Sequence, residues 1–265
     1  MAQVIKNTSF SEMRGYKKEI LLGDCLELMK DIPDRSIDMI LADLPYGIPY
    51  MKWDSIIPFD KLWRQYERIV KPNTAIVLTA SQPYTSILLM SKLKWFRHEW
   101  IWQKNRGSNF ALVRRQPFKE HESVLVFSKR TPNYYPIKEE RSESGKSRCN
   151  YMFNNKVTSK TINNKTFYNQ DSKRRIFDKN LRYPSSIQKF NTEVGLHPTQ
   201  KPTKLFEYMI KTYTNEGDLV LDNTTGSGTT AIACLNTKRQ FIVMEKDINY
   251  FEKIKKRVEC FNKGF

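Results

Sequence analysis

Between residues 19 and 130, short apolar runs alternate with segments whose apolar residues recur every three or four positions. EILLGD, IDMILAD, TAIVLTA, WFRHEWIWQ and ESVLVFSK are rich in β-branched or aromatic residues and predict strands. FDKLWRQYERIV and SQPYTSILLMSKL space their apolar positions as helices do. From 131 to 195 the pattern dissolves into Asn, Ser, Lys and isolated aromatics, which predicts a loop-rich insertion. After HPTQKP the alternation returns. TKLFEYMIKTYT predicts a helix, DLVLD a strand, GTTAIACLNT a helix, QFIVME a strand and NYFEKIKKRVECF a closing helix. The later stretch supplies only about two strands, too few for a domain of its own. Residues 19–130 and 196–265 are therefore expected to complete one α/β sheet, with 131–195 inserted between them.

Composition narrows the partners. With 265 residues, 39% of them hydrophobic, the chain holds enough apolar surface for one core plus an inserted module. Lys and Arg number 45 against 28 Asp and Glu, a formal charge of +17, so a long polyanion is attracted and nucleic acid is the obvious partner. Between Arg141 and Phe190, 12 Lys and Arg face 3 Asp and Glu, so more than half the excess lies in a fifth of the chain. Within it, DSKRRIFDKNLRYP interleaves Arg174, Arg175 and Arg182 with Phe177 and Tyr183, a mixture suited to phosphates and base edges. A disordered basic loop is the alternative reading of the same residues. QKNRGSNFALVRRQ, 103–116, with Arg106, is a second nucleic-acid-facing candidate because it follows a predicted strand. The four cysteines are scattered without a CxxC pair and there are three histidines, so no zinc site or disulfide framework is expected. The first ten residues lack a signal-peptide core, and no apolar run approaches the roughly 18 residues of a membrane helix. A soluble, cytoplasmic protein is expected.

The chemistry concentrates at predicted strand ends. DLVLDNTTGSGTTAIACLNTKRQFIVMEKD, 218–247, reads strand, glycine turn, helix, strand and acid, with Glu245 lying 19 positions after Gly226. In dinucleotide-type units, glycines bring backbone close to a ligand at a helix N-terminus, and an acid some 20 residues on takes ribose hydroxyls. The loop lacks a phosphate-binding lysine, and its only glycines are Gly226 and Gly228. A ligand with adenosine and no pyrophosphate remains, a description that S-adenosylmethionine meets; a packing turn is the plainer alternative. Asp24 after EILLG and Asp43 after IDMILA end two strands in the other half, and in a doubly wound sheet all four ends open onto one crevice. Asp43 opens DLPY, a carboxylate and an aromatic ring beside each other in a stiff turn.

These motifs, in this order, resemble the permuted (beta-class) amino-methyltransferases of DNA, the N6-adenine/N4-cytosine family whose DPPY-type tetrad precedes its cofactor motif. GDCLELMKDIPDRSIDMILADLPYG, HEWIWQKNRGSNF, KEHESVLVFSK, HPTQKPTKLFEYMIKTYTNEGDLVLDNTTGSGTTAIA and MEKDINYFEKIKKR carry the resemblance. It implies an α/β fold with a doubly wound, mostly parallel sheet of the S-adenosylmethionine-dependent methyltransferase type, its catalytic domain at 19–130 and 196–265 and a target-recognition region at 131–195. Leu44 stands where the family commonly has proline, and Asn223 and Thr224 where it often has Pro and Phe.

The resemblance implies site-specific methylation of double-stranded DNA, with Asp at the head of the tetrad leaning toward adenine N6. Cytosine-N4 methylation and an inactive DNA-binding protein of the same fold are the alternatives. The tetrad Asp43, Leu44, Pro45 and Tyr46 is then catalytic: the Asp43 carboxylate and the Leu44 carbonyl accept from the target amine, Pro45 stiffens the turn, and Tyr46 stacks on an extruded base. Asp24 and Cys25 are expected at the cofactor adenine and Glu245 at its ribose. Asp222, Gly226 and Gly228 are expected along its methionine portion, with Thr199 and Lys201 at its carboxylate. Arg106, Arg174, Arg175 and Arg182 are the expected DNA contacts, and no metal is implied. A homodimer and a paired restriction endonuclease stay open as partners.

Overall fold

The computed structural model describes residues 17–47, 55–154, 178, 180–193, 195 and 200–263. The chain divides into two compact units, one of Met1–Tyr135 with Ser186–Phe265 and one of Pro136–Ser185. No helix among the described residues is long and apolar enough to cross a membrane.

The larger unit is built on an eight-stranded sheet. Its strands in chain order are β1 (Lys18–Leu22), β2 (Ile37–Ala42), β3 (Val70–Ala80), β4 (Phe96–Gln103), β5 (His121–Phe127), β8 (Ile187–Lys189), β9 (Leu219–Asp222) and β10 (Gln240–Glu245); β6 (Glu139–Glu140) and β7 (Leu181–Arg182) belong to the smaller unit. Across the sheet they stand in the order β1-β10-β9-β2-β3-β5-β4-β8. All neighbours pair in parallel except β3 with β5 and β5 with β4, which are antiparallel.

The apolar runs are nearly continuous because both faces are covered. In β2, Met39 and Leu41 join the core beneath α5 (Thr203–Tyr213), α6 (Thr229–Asn236) and α7 (Ile248–Asn262). The intervening Ile40 and Ala42 join the opposite core, with α1 (Cys25–Leu28), α2 (Phe59–Ile69) and α3 (Tyr84–Ser91). That alternation is the two-residue strand period, and burial on both sides is what a parallel sheet between helical layers demands. From edge strand β1 the chain crosses to β2 in the middle of the sheet, and the later β9 and β10 fill the gap. β9 and β2 are thus adjacent but distant in sequence, a topological switch of the kind that opens a crevice at the carboxyl ends.

The smaller unit adds short regular elements to the expected loop-rich stretch. It holds a two-stranded antiparallel ribbon of β6 (Glu139–Glu140) and β7 (Leu181–Arg182), and a helix α4 (Glu143–Asn154). Local bonds support the start of the helix. Ser142 Oγ accepts from the Gly145 amide at 3.2 Å, and Lys146 pairs with Glu143 at 2.8 Å. The units also divide at 135/136 and 185/186, inside the expected limits of 131 and 195. The reason at the far end is β8, whose Ile187–Lys189 pair with Ile101–Gln103 and belong to the main sheet.

Candidate active site

The carboxyl ends of β1, β2, β9 and β10 border a cavity of about 550 Å³, of the size that holds a small-molecule ligand. Its wall includes Asp24, Asp43, Asp222 and Glu245, one acid from each strand end, together with Leu44, Pro45, Tyr46, Lys201 and the turn Asn223–Ser227.

On the β2 side, the Asp43 carboxylate is held on three sides. Its Oδ1 accepts from the Tyr46 hydroxyl at 2.8 Å and from the Thr79 hydroxyl on β3, and its Oδ2 accepts from Lys201 Nζ at 2.6 Å. A carboxylate offers about four lone-pair directions, so about one is left for a further donor. Its backbone is fixed too, since the Thr224 hydroxyl donates to the Asp43 carbonyl at 3.1 Å. Lys201 is 5% exposed and also lies 3.5 Å from Glu122 at the start of β5. Burial alone works against its charge, but Asp43 and Glu122 outweigh it and hold the ammonium above its usual range. Glu122 is drawn down by Lys201 and Lys104 despite its own burial. The Tyr46 phenol is pushed well up, first by burial and then by Asp43 and Glu122, so it stays protonated and donates. The Tyr46 ring stacks on Tyr84 at 5.0 Å, which covers one of its faces.

On the β9–β10 side the backbone is shaped for close approach. Gly226 and Gly228 take φ of 54° and 78°, in the left-handed region that glycine tolerates and other residues resist. A Cβ at Gly228 would stand 2.9 Å from Ile254 Cγ2 of α7. Glu245 is locked at its strand end: Oε2 accepts from the Gly226 amide at 2.9 Å, and Oε1 from the Lys246 and Asp247 amides at 2.8 and 2.9 Å. Three of about four acceptor directions are filled, leaving about one toward the cavity. Asp222 is buried and accepts from the Thr224 amide at 3.0 Å and from the Thr230 hydroxyl; burial pushes its carboxyl up to about 7. Asp24 caps α1 by accepting from the Leu26 amide at 2.9 Å. Burial raises the Cys25 thiol to about 11, so it is neutral. Asn223 Oδ1 accepts from the Tyr66 hydroxyl at 2.6 Å, while its buried Nδ2 has no hydrogen-bond partner among the described residues.

Comparison with known proteins decides what such a cavity belongs to. Residues 37–256 match the sequence pattern of the N6/N4 DNA methylases, most of the chain including both halves of the cavity. The chain belongs to the N6/N4 DNA methylase family. It is 27% identical over 261 residues to the type II methyltransferase M.HpaI of Haemophilus parainfluenzae, covering 94% of this chain and 76% of that one. It is 28% identical over 275 residues to M.HinfI of Haemophilus influenzae, covering 93% and 69%. The fold is shared with the S-adenosylmethionine complex of M1.HpyAVI, at TM-score 0.61 and 24% identity over 90% of this chain and 98% of that one. It is shared also with the cytosine-N4-specific PvuII DNA methyltransferase, at TM-score 0.63 and 17% identity over 91% and 86%.

Of the residues this methylase was expected to use, Asp24, Cys25, Asp43, Leu44, Pro45, Tyr46, Lys201, Asp222, Gly226 and Glu245 all line one cavity. Gly228 shapes the turn from behind. Lys201, expected at a cofactor carboxylate, has its ammonium on Asp43 and near Glu122 at the cavity wall. Arg106 is exposed in the segment after β4. Arg182 pairs with Glu139 across the small ribbon at 3.0 Å. Thr199, Arg174 and Arg175 lie outside the described residues. Sequence reasoning missed Thr79, Tyr84 and Glu122. Only Glu122 left a signal, as an acid heading the otherwise apolar SVLVF.

The donor set fits S-adenosylmethionine. A glycine turn, a strand-end acid with an acceptor position to spare and the Asn223 amide present a neutral-to-negative wall with hydrogen-bonding groups for an adenosine and a sulfonium. Replacing Gly228 by Ala forces a non-glycine residue to positive φ against Ile254. A loss of about 1–3 kcal/mol in urea unfolding is expected.

Proposed function

We propose that this DNA methyltransferase acts on the N6 amine of adenine in duplex DNA, with S-adenosylmethionine as methyl donor. The observation that carries the reading is the Asp43 carboxylate, fixed at the end of β2 beside Leu44 and opening onto the same cavity as the glycine turn and Glu245.

S-adenosylmethionine, when bound, supplies an electrophilic methyl group on a sulfonium sulfur. Asp24 and Cys25 are assigned to its adenine, Glu245 to its ribose, and Asp222 with the 226–228 turn to its methionine portion. An exocyclic amine is a poor nucleophile because its lone pair is delocalised into the ring. Asp43 accepts one amine hydrogen and the Leu44 carbonyl the other, which favours a tetrahedral nitrogen with its lone pair free. As positive charge develops on that nitrogen, the nearby carboxylate stabilises it and receives or relays the released proton. A base inside a duplex cannot reach this depth and must be extruded. Tyr46, with Tyr84 stacked behind it, gives the cavity an aromatic wall. Aspartate at the head of the tetrad supports adenine over cytosine N4, since serine there leans toward cytosine in the family this chain resembles.

The segment between β4 and β5 supports a duplex partner. Gln103 pairs with His121 and Ala80 with Ser123, so this segment leaves the sheet at the edge where β2 ends at Asp43. Residues 104–119 carry no acid and expose Arg106, Arg114 and Arg115. Phe110, Leu112 and Val113 are exposed beside the three arginines. We assign this surface to DNA, with Arg106 among its phosphate contacts, alongside the basic 131–195 stretch.

Methyl transfer to duplexes in which adenine or cytosine is the only acceptor tests the reading. Label is expected in the adenine duplex alone; label confined to cytosine overturns the N6 assignment. Asp43→Ala is expected to lower turnover by at least about 10²-fold while cofactor affinity holds. Glu245→Ala is expected to weaken cofactor binding in calorimetry by about 1.5–3 kcal/mol. Arg106→Ala is expected to weaken binding to every duplex and to flatten the salt dependence by about one unit. Loss confined to one sequence would make it a base contact instead.

A further inference from the structure

Lys201 sits between two carboxylates that come from different parts of the sheet. Its Nζ is 2.6 Å from Asp43 Oδ2 at the end of β2 and 3.5 Å from Glu122 Oε2 at the head of β5. Glu122 Oε2 is buried and makes no hydrogen bond among the described residues, so the ion pair with Lys201 is its compensation, while Lys104 holds Oε1 at 2.5 Å. The Lys201 ammonium also lies 5.6 Å from the centre of the Tyr46 ring. Two anions and two cations, all largely out of water, therefore balance around the carboxylate that faces the cavity.

We infer that Lys201, steadied by Glu122, is a positioning residue for Asp43: it engages one carboxylate oxygen and fixes the unused acceptor toward the target amine. The inference rests on the proposed role of Asp43 in methyl transfer. An opposite charge within a few ångströms favours the ionised form of a carboxylate, the form that accepts from an amine, and a second carboxylate nearby disfavours it. Lys201 supplies the opposite charge. Glu122 in turn offsets the lysine's charge, so that the positive nitrogen formed during attack is not opposed by a lone ammonium. The charged and titratable groups facing the pair are Tyr46 from the same turn, Glu122 from β5, Asp222 from β9, and Lys104 and Lys119 from the segment before β5.

The test is the dependence of kcat on pH, with saturating cofactor and duplex, for the wild type, Lys201→Met, Lys201→Arg and Glu122→Gln. Removing the cation favours protonation, so in Lys201→Met the acidic limb is expected to move up by about one pH unit or more. Removing the second anion favours ionisation, so in Glu122→Gln the limb is expected to move down. Lys201→Arg keeps the charge and should hold the limb near that of the wild type. Cofactor affinity by calorimetry is expected to stay within about threefold in all of them. A loss of affinity of more than about tenfold in Lys201→Met with an unmoved limb would overturn the inference and return Lys201 to the cofactor carboxylate. Lower turnover with neither limb nor affinity changed would make the cluster merely structural, which overturns it as well.

A second readout needs no turnover. Lys201→Met leaves two buried carboxylates whose proton affinity is raised in the folded state. The variant should therefore lose melting temperature, relative to the wild type, as pH rises from about 5 to 8. Lys201→Met combined with Glu122→Gln should recover much of that loss. A melting difference independent of pH contradicts the inference whatever the acceptor base proves to be. Absence of methyl transfer by the wild type would instead count against the proposed function alone.

Discussion

Placing the Asp43 carboxylate at the end of a strand whose neighbours are buried on both faces is the constraint on which the rest of this site turns. A lone carboxylate in such surroundings is costly and tends to take up a proton. Here the tyrosine and threonine hydroxyls satisfy one oxygen and Lys201 the other. The strand order makes this possible. β3 brings Thr79 alongside β2, β5 brings Glu122 within reach of Lys201, and the segment entering α5 brings Lys201 over the sheet edge. The same order sets β9 against β2, so the glycine turn faces the carboxylate across one cavity.

The two halves of the cavity are built on opposite principles. Around Asp43 side chains meet side chains, and the carboxylate proposed to receive the target amine sits among charges that cancel. Around Glu245 the acid is tied almost wholly to backbone amides, and the glycines remove side chains to let a ligand approach. A backbone-tied acid is rigid, and rigidity suits a group that only holds a cofactor in place. A carboxylate held by side chains on three sides keeps a fixed orientation with an acceptor to spare, which suits the proposed reception of a substrate amine.

Much of this was legible in the sequence because it lies at strand ends. Asp24, Asp43, Asp222 and Glu245 each follow an apolar run, and a doubly wound order brings such ends together whatever the loops do. The partners of those acids were not legible. Lys201 meets Asp43 across 158 residues, and nothing in HPTQKP distinguishes a lysine for a cofactor from one for a carboxylate. Tyr46 looked like an open platform in DLPY, but Tyr84, 38 positions later, already covers one face. The helix Glu143–Asn154 escaped notice because its opening residues, ESGKSR, are polar and include a glycine, and β8 because three residues carry no period.

The central claim is geometric: the target amine is received between the Asp43 carboxylate and the Leu44 carbonyl. A crystal structure of the protein with a cofactor analogue and a duplex bearing its methylation site tests this most directly. The account predicts an adenine turned out of the stack, its N6 within hydrogen-bonding distance of both oxygens and Lys201 still on Asp43. An extruded base whose amine meets neither oxygen, or a Lys201 transferred to the cofactor carboxylate, would contradict it.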